Sequence, residues 1–436
     1  MADKLAILGG KKTREKPFVK YAIIGDEEKS RVKEVLDSGI LSGFIARAGD
    51  NFLGGKQVKE LEALVNSYFS CRNAVTVNSA TAGLHVALAA CGIGPGDEVI
   101  VTPYTMCASA TAVVMQNAVP VFADISDDDF CLDPESIEQR LTDRVKAIVV
   151  VHLFGYPAKM DEIMAIAKKR GLYVIEDCAQ APGALYKGRP VGTIGDIGVF
   201  SLNQHKTITC GEGGFAITDD DDLALRMRLI RNHGEVITDD MEMENIDNIV
   251  GFNYRMTELE GAVSVGQFKR LDQLNDQRIK LAEYLASGLS KFKGLRLPLK
   301  EKGNKHVYFV FPIRYDREEV GVPRDIFVKA VNEEGIPLAA GYVRPIYMEP
   351  LYRKKIAYGR KGCPFTCSFY GRQTRYEKGI CPVTERMYEE ELILTPVCKY
   401  PHTIEDMDDV IKAFEKVFNN IGELKKSIKN GVLPVR

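Results

Sequence analysis

The run Gly198-Val199-Phe200-Ser201-Leu202-Asn203-Gln204-His205-Lys206, closed by Gly211-Glu212-Gly213-Gly214, sets one lysine between an apolar strand and a glycine-rich turn. A strand end fixes the lysine backbone, and the glycines allow chain and ligand to approach closely. Ser201 adds a hydroxyl donor suited to a phosphate. An amine held this way is placed to bond a carbonyl compound covalently. A surface lysine after a strand is the commoner reading of such a stretch in isolation, so the weight falls on what lies upstream.

Upstream, Leu172-Tyr173-Val174-Ile175-Glu176-Asp177-Cys178-Ala179-Gln180 is an apolar run ending in two carboxylates and an amide. In open α/β sheets the carboxyl ends of strands are where ligands bind. Asp177 is the candidate partner of a pyridine nitrogen, with Gln180 within reach of the ring's phenolic oxygen; the competing role for Asp177 is an acidic N-cap. Further upstream, Asn78-Ser79-Ala80-Thr81-Ala82-Gly83-Leu84-His85 puts small and hydroxyl residues ahead of an apolar helix. Free N–H groups at a helix N-terminus bind an anion without a basic side chain, although a Ser/Thr cap alone would leave the same trace. A carbonyl cofactor with a phosphate tail, pyridoxal phosphate, suits the three pieces in this order.

With those pieces in place the chain resembles the DegT family of sugar aminotransferases, a branch of the fold type I pyridoxal phosphate enzymes. Further motifs carry the likeness: Gly94-Pro95-Gly96-Asp97-Glu98, Val119-Pro120-Val121-Phe122, Val151-His152-Leu153-Phe154-Gly155, Gly251-Phe252-Asn253-Tyr254-Arg255 and Cys381-Pro382-Val383-Thr384-Glu385. The resemblance implies that Lys206 is the Schiff-base lysine and proton carrier, that Asp177 pairs with the pyridinium and that Gln180 meets the phenolic oxygen. It also implies that Ala80, Thr81 and Ser201 hold the phosphate. Asn253 matches an asparagine that reaches the phosphate of a neighbouring subunit, so a homodimer with shared active sites is expected.

One position departs from the family. Met106 stands where an aromatic ring usually stacks on the cofactor. A thioether packs on such a ring for about 0.3–1.5 kcal/mol. Tyr104, two residues earlier on the same strand face and roughly 7 Å away, is the other candidate.

The implied activity is transfer of an amino group from glutamate or glutamine to a keto sugar, nucleotide-linked by the family's habit, or to a keto-cyclitol. Two alternatives are a dehydratase of the same family, in which histidine would replace Lys206, and a non-catalytic sensor or scaffold, which would tolerate loss of Lys206 or Asp177. Neither residue is lost.

Composition bounds the rest. At 436 residues the chain exceeds one ordinary core. Charged residues make up 27%, the net charge is −2, and no basic stripe points to nucleic acid. No apolar run would span a bilayer and the N-terminus turns polar at once, so a cytoplasmic protein is expected. Cys91, Cys107 and Cys178 sit in apolar segments and read as buried thiols. Cys363 and Cys367 could begin a zinc site, but nothing completes it, so no metal is expected.

The expected fold is α/β, a three-layer αβα large domain with a mostly parallel sheet, plus a smaller α+β domain at the C-terminus. The bounds are an N-terminal arm at 1–30, a cofactor-binding domain at 31–256, and a bridging helix with the small domain at 257–436. Strands are expected at 98–102, 119–123, 147–152, 172–176, 197–203, 214–218 and, in the small domain, 307–313. Helices are expected at 108–118, 134–141, 160–170, 222–232 and 323–334, with one long helix from Thr257 to about Lys291. Residues 353–380 read as an inserted loop that either covers the active site or is solvated and inert. His152 ends a strand and is a candidate for lining the cleft, while His205 should point away from Lys206 if both lie on an extended strand.

Overall fold

The computed structural model describes residues 3–21 and 23–433. Its main sheet has seven strands: β1 (Asn73–Val77), β2 (Glu98–Val101), β3 (Val119–Phe122), β4 (Val145–Val151), β5 (Tyr173–Asp177), β6 (Ile197–Ser201) and β7 (Gly214–Thr218). They are ordered β1-β7-β6-β5-β4-β2-β3. The run from β6 to β3 is parallel throughout, whereas β7 pairs antiparallel with both β6 and β1. It follows that β1 runs the same way as β6. The carboxyl ends of β1, β2, β5 and β6 therefore meet at one sheet edge.

Continuous apolar runs such as Ala147-Ile148-Val149-Val150-Val151 suit strands covered on both faces. Alternate side chains enter two buried clusters. Ile148, Val150, Val174, Phe200 and Phe215 pack with Val58, Leu61 and Val65 of helix α2 (Lys56–Phe69) and with Ile163 of the helix Met160–Arg170. Val75, Val77, Val149, Ile175 and Val199 pack with α3 (Ala80–Ala90) and with the helices Ala108–Met115 and Asp221–Arg231. Gly83 lets α3 lie flat on β6, since a Cβ there would stand 2.7 Å from Val199 Cγ1.

A third cluster gathers a four-stranded antiparallel sheet, Leu295–Arg296, Phe311–Tyr315, Leu392–Thr395 and Ala339–Ala340, with the helices Arg324–Glu333 and Ile404–Asn419. The expected long helix is two: Glu258–Phe268 packs against Asp26–Ser38 and α2, and Leu271–Leu289 packs against Ile404–Asn419. The break at Lys269 and Arg270 lets the chain pass from one packing partner to the other. The helix Asp26–Ser38, α2 and β1 had no distinct signal in the sequence reading.

Two strand assignments are corrected. The small-sheet strand begins at Phe311, not 307, because the preceding stretch is tied elsewhere: Val307 N donates to Gly155 O at 3.0 Å and Phe309 N to Phe154 O at 2.9 Å. The strand carrying the lysine motif stops at Ser201, not 203. Asn203 curls the chain, its side-chain oxygen accepting from His205 N at 3.1 Å and its carbonyl from Lys206 N at 2.9 Å.

Residues 353–380 are held by aromatic anchors. Phe365, Tyr370 and Tyr376 are buried, Tyr376 donates to Pro120 O at 2.8 Å, and its ring lies 5.6 Å from Phe122. Their place is the β3 edge of the main sheet, and none of them lines the cavity described next.

Candidate active site

A cavity of about 390 Å³ opens at the carboxyl edge of the sheet. Ser79, Ala80 and Thr81 line it from the start of α3, Asp177 and Gln180 from the end of β5, Ser201 from the end of β6, and Lys206 from the turn beyond. Seven of the eight residues singled out in the sequence, all but Asn253, thus meet in one place. Asn253 is exposed, and its backbone oxygen accepts from Asn78 Nδ2 at 3.4 Å. Its side chain is outside the cavity of its own chain.

The start of α3 is built to receive an anion. Ser79 caps it by accepting from Ala82 N at 3.1 Å, which leaves the N–H groups of Ala80 and Thr81 without a partner among the described residues. Gly214 keeps them open, because a Cβ there would stand 2.8 Å from Ala80 N. Ser201 is buried in the lining of the same cavity, and among the described residues its Oγ accepts only a 3.3 Å bond from Asn203 N.

Asp177 is buried, with Oδ2 accepting from Ser109 Oγ at 2.8 Å and Oδ1 from Ala179 N at 3.1 Å. Two acceptances leave lone pairs on this carboxylate for a ligand. Gln180 is fixed in orientation: Oε1 accepts from Phe154 N at 2.9 Å, so Nε2 faces outward and donates to Tyr342 Oη at 3.2 Å.

Lys206 Nζ makes no hydrogen bond or ion pair among the described residues. It lies 4.9 Å from the centre of the Phe309 ring. Burial pushes its pKa below the ordinary lysine value, and the charge of Asp177 opposes that shift. The same burial raises the Tyr342 hydroxyl.

Met106 lines the cavity and is otherwise exposed, whereas Tyr104 is fully buried behind it, with Oη accepting from Tyr342 N at 3.1 Å. Of the two residues the sequence left open, Met106 is the one that lines the cavity. His205 lines the cavity together with Lys206, since a turn, unlike a strand, does not alternate its side chains. His152 does not reach the cleft. Its Nδ1 accepts from Ala158 N at 3.0 Å, so the proton is on Nε2 and is donated to Glu176 Oε2 at 2.9 Å. His152, Glu176 and Cys178 bring donor atoms within 4.8 Å of one another, but the imidazole and the carboxylate are already engaged.

Phe309 and Tyr342 were missed by sequence reasoning. Phe309 lay inside a run that read as a buried strand, and Tyr342 belongs to a segment with no periodicity.

The donor set fits pyridoxal phosphate. Two open N–H groups and a hydroxyl suit a phosphate, a buried carboxylate with free lone pairs suits a protonated pyridine, and an amine without an ion pair suits an aldehyde.

Comparison with known proteins agrees. The model of the DegT/DnrJ/EryC1/StrS aminotransferase family matches residues 23–377. A putative L-glutamine:3-amino-2,3-dideoxy-scyllo-inosose aminotransferase of Micromonospora echinospora is 34% identical, over 98% of this chain and 100% of that protein. The L-glutamine:scyllo-inosose aminotransferase of Streptomyces griseus is 32% identical, with the same coverages of 98% and 100%. Among solved structures, DesI in the presence of its TDP-sugar product superposes with a TM-score of 0.80 at 26% identity, covering 98% of this chain and 99% of that one.

Proposed function

Since the chain belongs to the DegT/DnrJ/EryC1/StrS aminotransferase family and is itself an aminotransferase, we propose that its cleft uses pyridoxal 5'-phosphate to move an amino group from glutamine or glutamate to a keto-cyclitol or keto sugar. The observation that carries this reading is Lys206 Nζ, unpaired in a cavity that also holds Asp177 and the open N-terminus of α3. The likeness of the inosose aminotransferases over nearly the whole chain favours glutamine as donor and a cyclitol ketone as acceptor.

When bound, the cofactor supplies an electron sink that stabilises negative charge at the carbon losing its proton. Lys206 would hold it covalently through Nζ. Ala80 N, Thr81 N and Ser201 Oγ would take its phosphate, and Asp177 would keep its ring nitrogen protonated. Gln180, locked by Phe154 N, would offer Nε2 to the phenolic oxygen.

The chain's own proton carrier is Lys206. An ammonium acts as a base only after losing its proton, and burial, which lowers the lysine pKa, raises the neutral fraction near neutral pH. Phe309 covers the amine, Tyr342 lines the same cavity beside Gln180, and the two would limit access of water.

The exposed Asn253 would complete the phosphate site of a second copy in a homodimer. No helix among the described residues is long and apolar enough to cross a membrane; the reaction is placed in the cytoplasm as part of this proposal.

The test is to load the enzyme with pyridoxamine phosphate and add keto-cyclitols and nucleotide-linked keto sugars in parallel. Return of the visible absorption of the bound aldehyde form identifies the acceptor. A panel in which no ketone restores it, with the cofactor shown to be bound, overturns the reading.

A further inference from the structure

Arg278, on the helix Leu271–Leu289, is 3% exposed and lies outside the cavity. Its guanidinium nonetheless contacts both supports of Lys206. Nη1 donates to the carbonyls of Tyr308 at 3.4 Å and Phe309 at 3.2 Å, and the Phe309 ring covers Lys206 Nζ at 4.9 Å. Its Cζ also stands 5.5 Å from the centre of the Tyr21 ring, and Tyr21 Oη donates to Thr207 O, the carbonyl next after Lys206, at 2.5 Å.

The strap bearing Phe309 is anchored on its N-terminal side by the buried Val307 and Tyr308 and by stacking of the His306 and Tyr308 rings, whose centroids lie 3.8 Å apart. Beyond Val307 N to Gly155 O and Phe309 N to Phe154 O, His306 Nε2 lies 3.1 Å from Phe154 O. Tyr308 between them adopts φ 48°, in the left-handed region that a non-glycine residue disfavours. A buried guanidinium bridging two backbone carbonyls and an aromatic face is a suitable clamp for such a segment.

We propose that Arg278 is a positioning residue for Lys206: it holds Phe309 over the ammonium from one side and Tyr21 against the adjoining carbonyl from the other. The charged groups around it are few. Lys399 Nζ stands 5.4 Å from the centre of the same Tyr21 ring, and the Arg278 charge acts on the Cys398 thiol. Around Lys206 are Asp177, His205 and Glu212. Burial, the largest influence on the Lys206 amine, lowers its pKa, so a strap that swings away should let that value rise.

The proposal rests on Lys206 being the reactive amine, and the test separates the two ideas. The midpoint of Lys206 is read in the full-length, cofactor-free chain from the pH dependence of reductive methylation. Peptide mass spectrometry follows the site, with surface lysines as internal reference. Arg278→Lys keeps the charge but loses the planar guanidinium that spans from the strap carbonyls to the Tyr21 ring, and should raise the midpoint by roughly half a unit or more. Phe309→Ala should raise it by a similar amount, and the double variant by no more than the larger single shift.

An unchanged midpoint in Phe309→Ala overturns the proposal whatever Arg278→Lys does. Additive shifts overturn it too, and so does failure of Arg278→Lys to fold, which would make the residue structural alone. Borohydride trapping of pyridoxal phosphate on a lysine other than Lys206 would refute the functional reading instead.

Discussion

Replacing Asp177 by Asn removes one charge and almost nothing else, and so isolates what the carboxylate contributes. The side chain keeps its size. Oδ1 can still accept from Ala179 N, now at 3.1 Å, and the Ser109 hydroxyl, which donates at 2.8 Å, can turn and accept from the new amide instead. The local fold should therefore survive, and the thermal midpoint of the cofactor-free chain should stay near wild type. What is lost is a charge-assisted bond to the cofactor ring, replaced by a neutral one. That difference is about 1–2 kcal/mol, or a roughly 5- to 30-fold weaker Kd. Lys206 also loses the neighbour that opposes its burial-driven shift, so its pKa should fall further. The assay is cofactor titration followed by absorbance, with stopped-flow measurement of the first half-reaction using glutamine. The half-reaction should slow by more than the binding defect, because the ring nitrogen is no longer held protonated while the α proton moves. A Kd within about twofold of wild type and an unchanged half-reaction would reduce Asp177 to the cap of the following turn.

Lys206→Ala should abolish turnover while leaving the thermal midpoint near wild type, and borohydride treatment of the loaded wild type should leave the cofactor adduct on the Lys206 peptide. Asn253→Ala should weaken cofactor binding by about 1.5–3 kcal/mol, and mixing it with Lys206→Ala subunits should restore activity, because one site of the mixed dimer has both wild-type residues. Confirmed subunit exchange without restored activity would return Asn253 to its own chain. Stability should also depend on pH through Lys206. A lysine whose pKa is lowered by folding binds fewer protons folded than unfolded, so the cofactor-free wild type should gain thermal stability relative to Lys206→Met as pH rises through the window between the lowered value and about 10.4. A gap between the two that does not change with pH would mean the amine is not shifted by folding.

The parts of the site that follow from chain order were legible in the sequence. A helix start, an acidic strand end and a lysine turn each carry a local signal, and the parallel sheet brings their ends to one edge without further information. The parts that depend on distant packing were not. Phe309 reaches Lys206 because the strap before the small sheet bonds to Phe154 and Gly155, and nothing in Val307-Tyr308-Phe309-Val310 distinguishes that from a strand. Tyr342 is placed by Tyr104 and Gln180, each more than 150 residues away. The segment 353–380 reads in the sequence only as an inserted loop, while its place is decided by three aromatic side chains that find the open edge at β3. The strand through Leu202 and Asn203 was overrun for a local reason: the Asn203 side chain competes for the backbone and ends the extended run.

Glu176 and Asp177 carry almost the same sequence signal, and the pleat of β5 separates them into unlike roles. Successive side chains of a strand point to opposite faces. Glu176 faces away from the cavity, where its carboxylate accepts from His152 Nε2 at 2.9 Å and from the N–H groups of Gly192, Ile194 and Gly195 at 2.8, 2.7 and 2.7 Å. Four donors satisfy it completely, and they hold its pKa below the ordinary value despite full burial. It has no capacity left for a ligand. Asp177 faces the cavity with two donors and keeps the remainder. The difference between a carboxylate that ties the sheet to its neighbouring loop and one that can receive a ligand is thus a difference in unspent lone pairs. It explains why His152, which looked from the sequence like a cleft residue, belongs with the structural carboxylate.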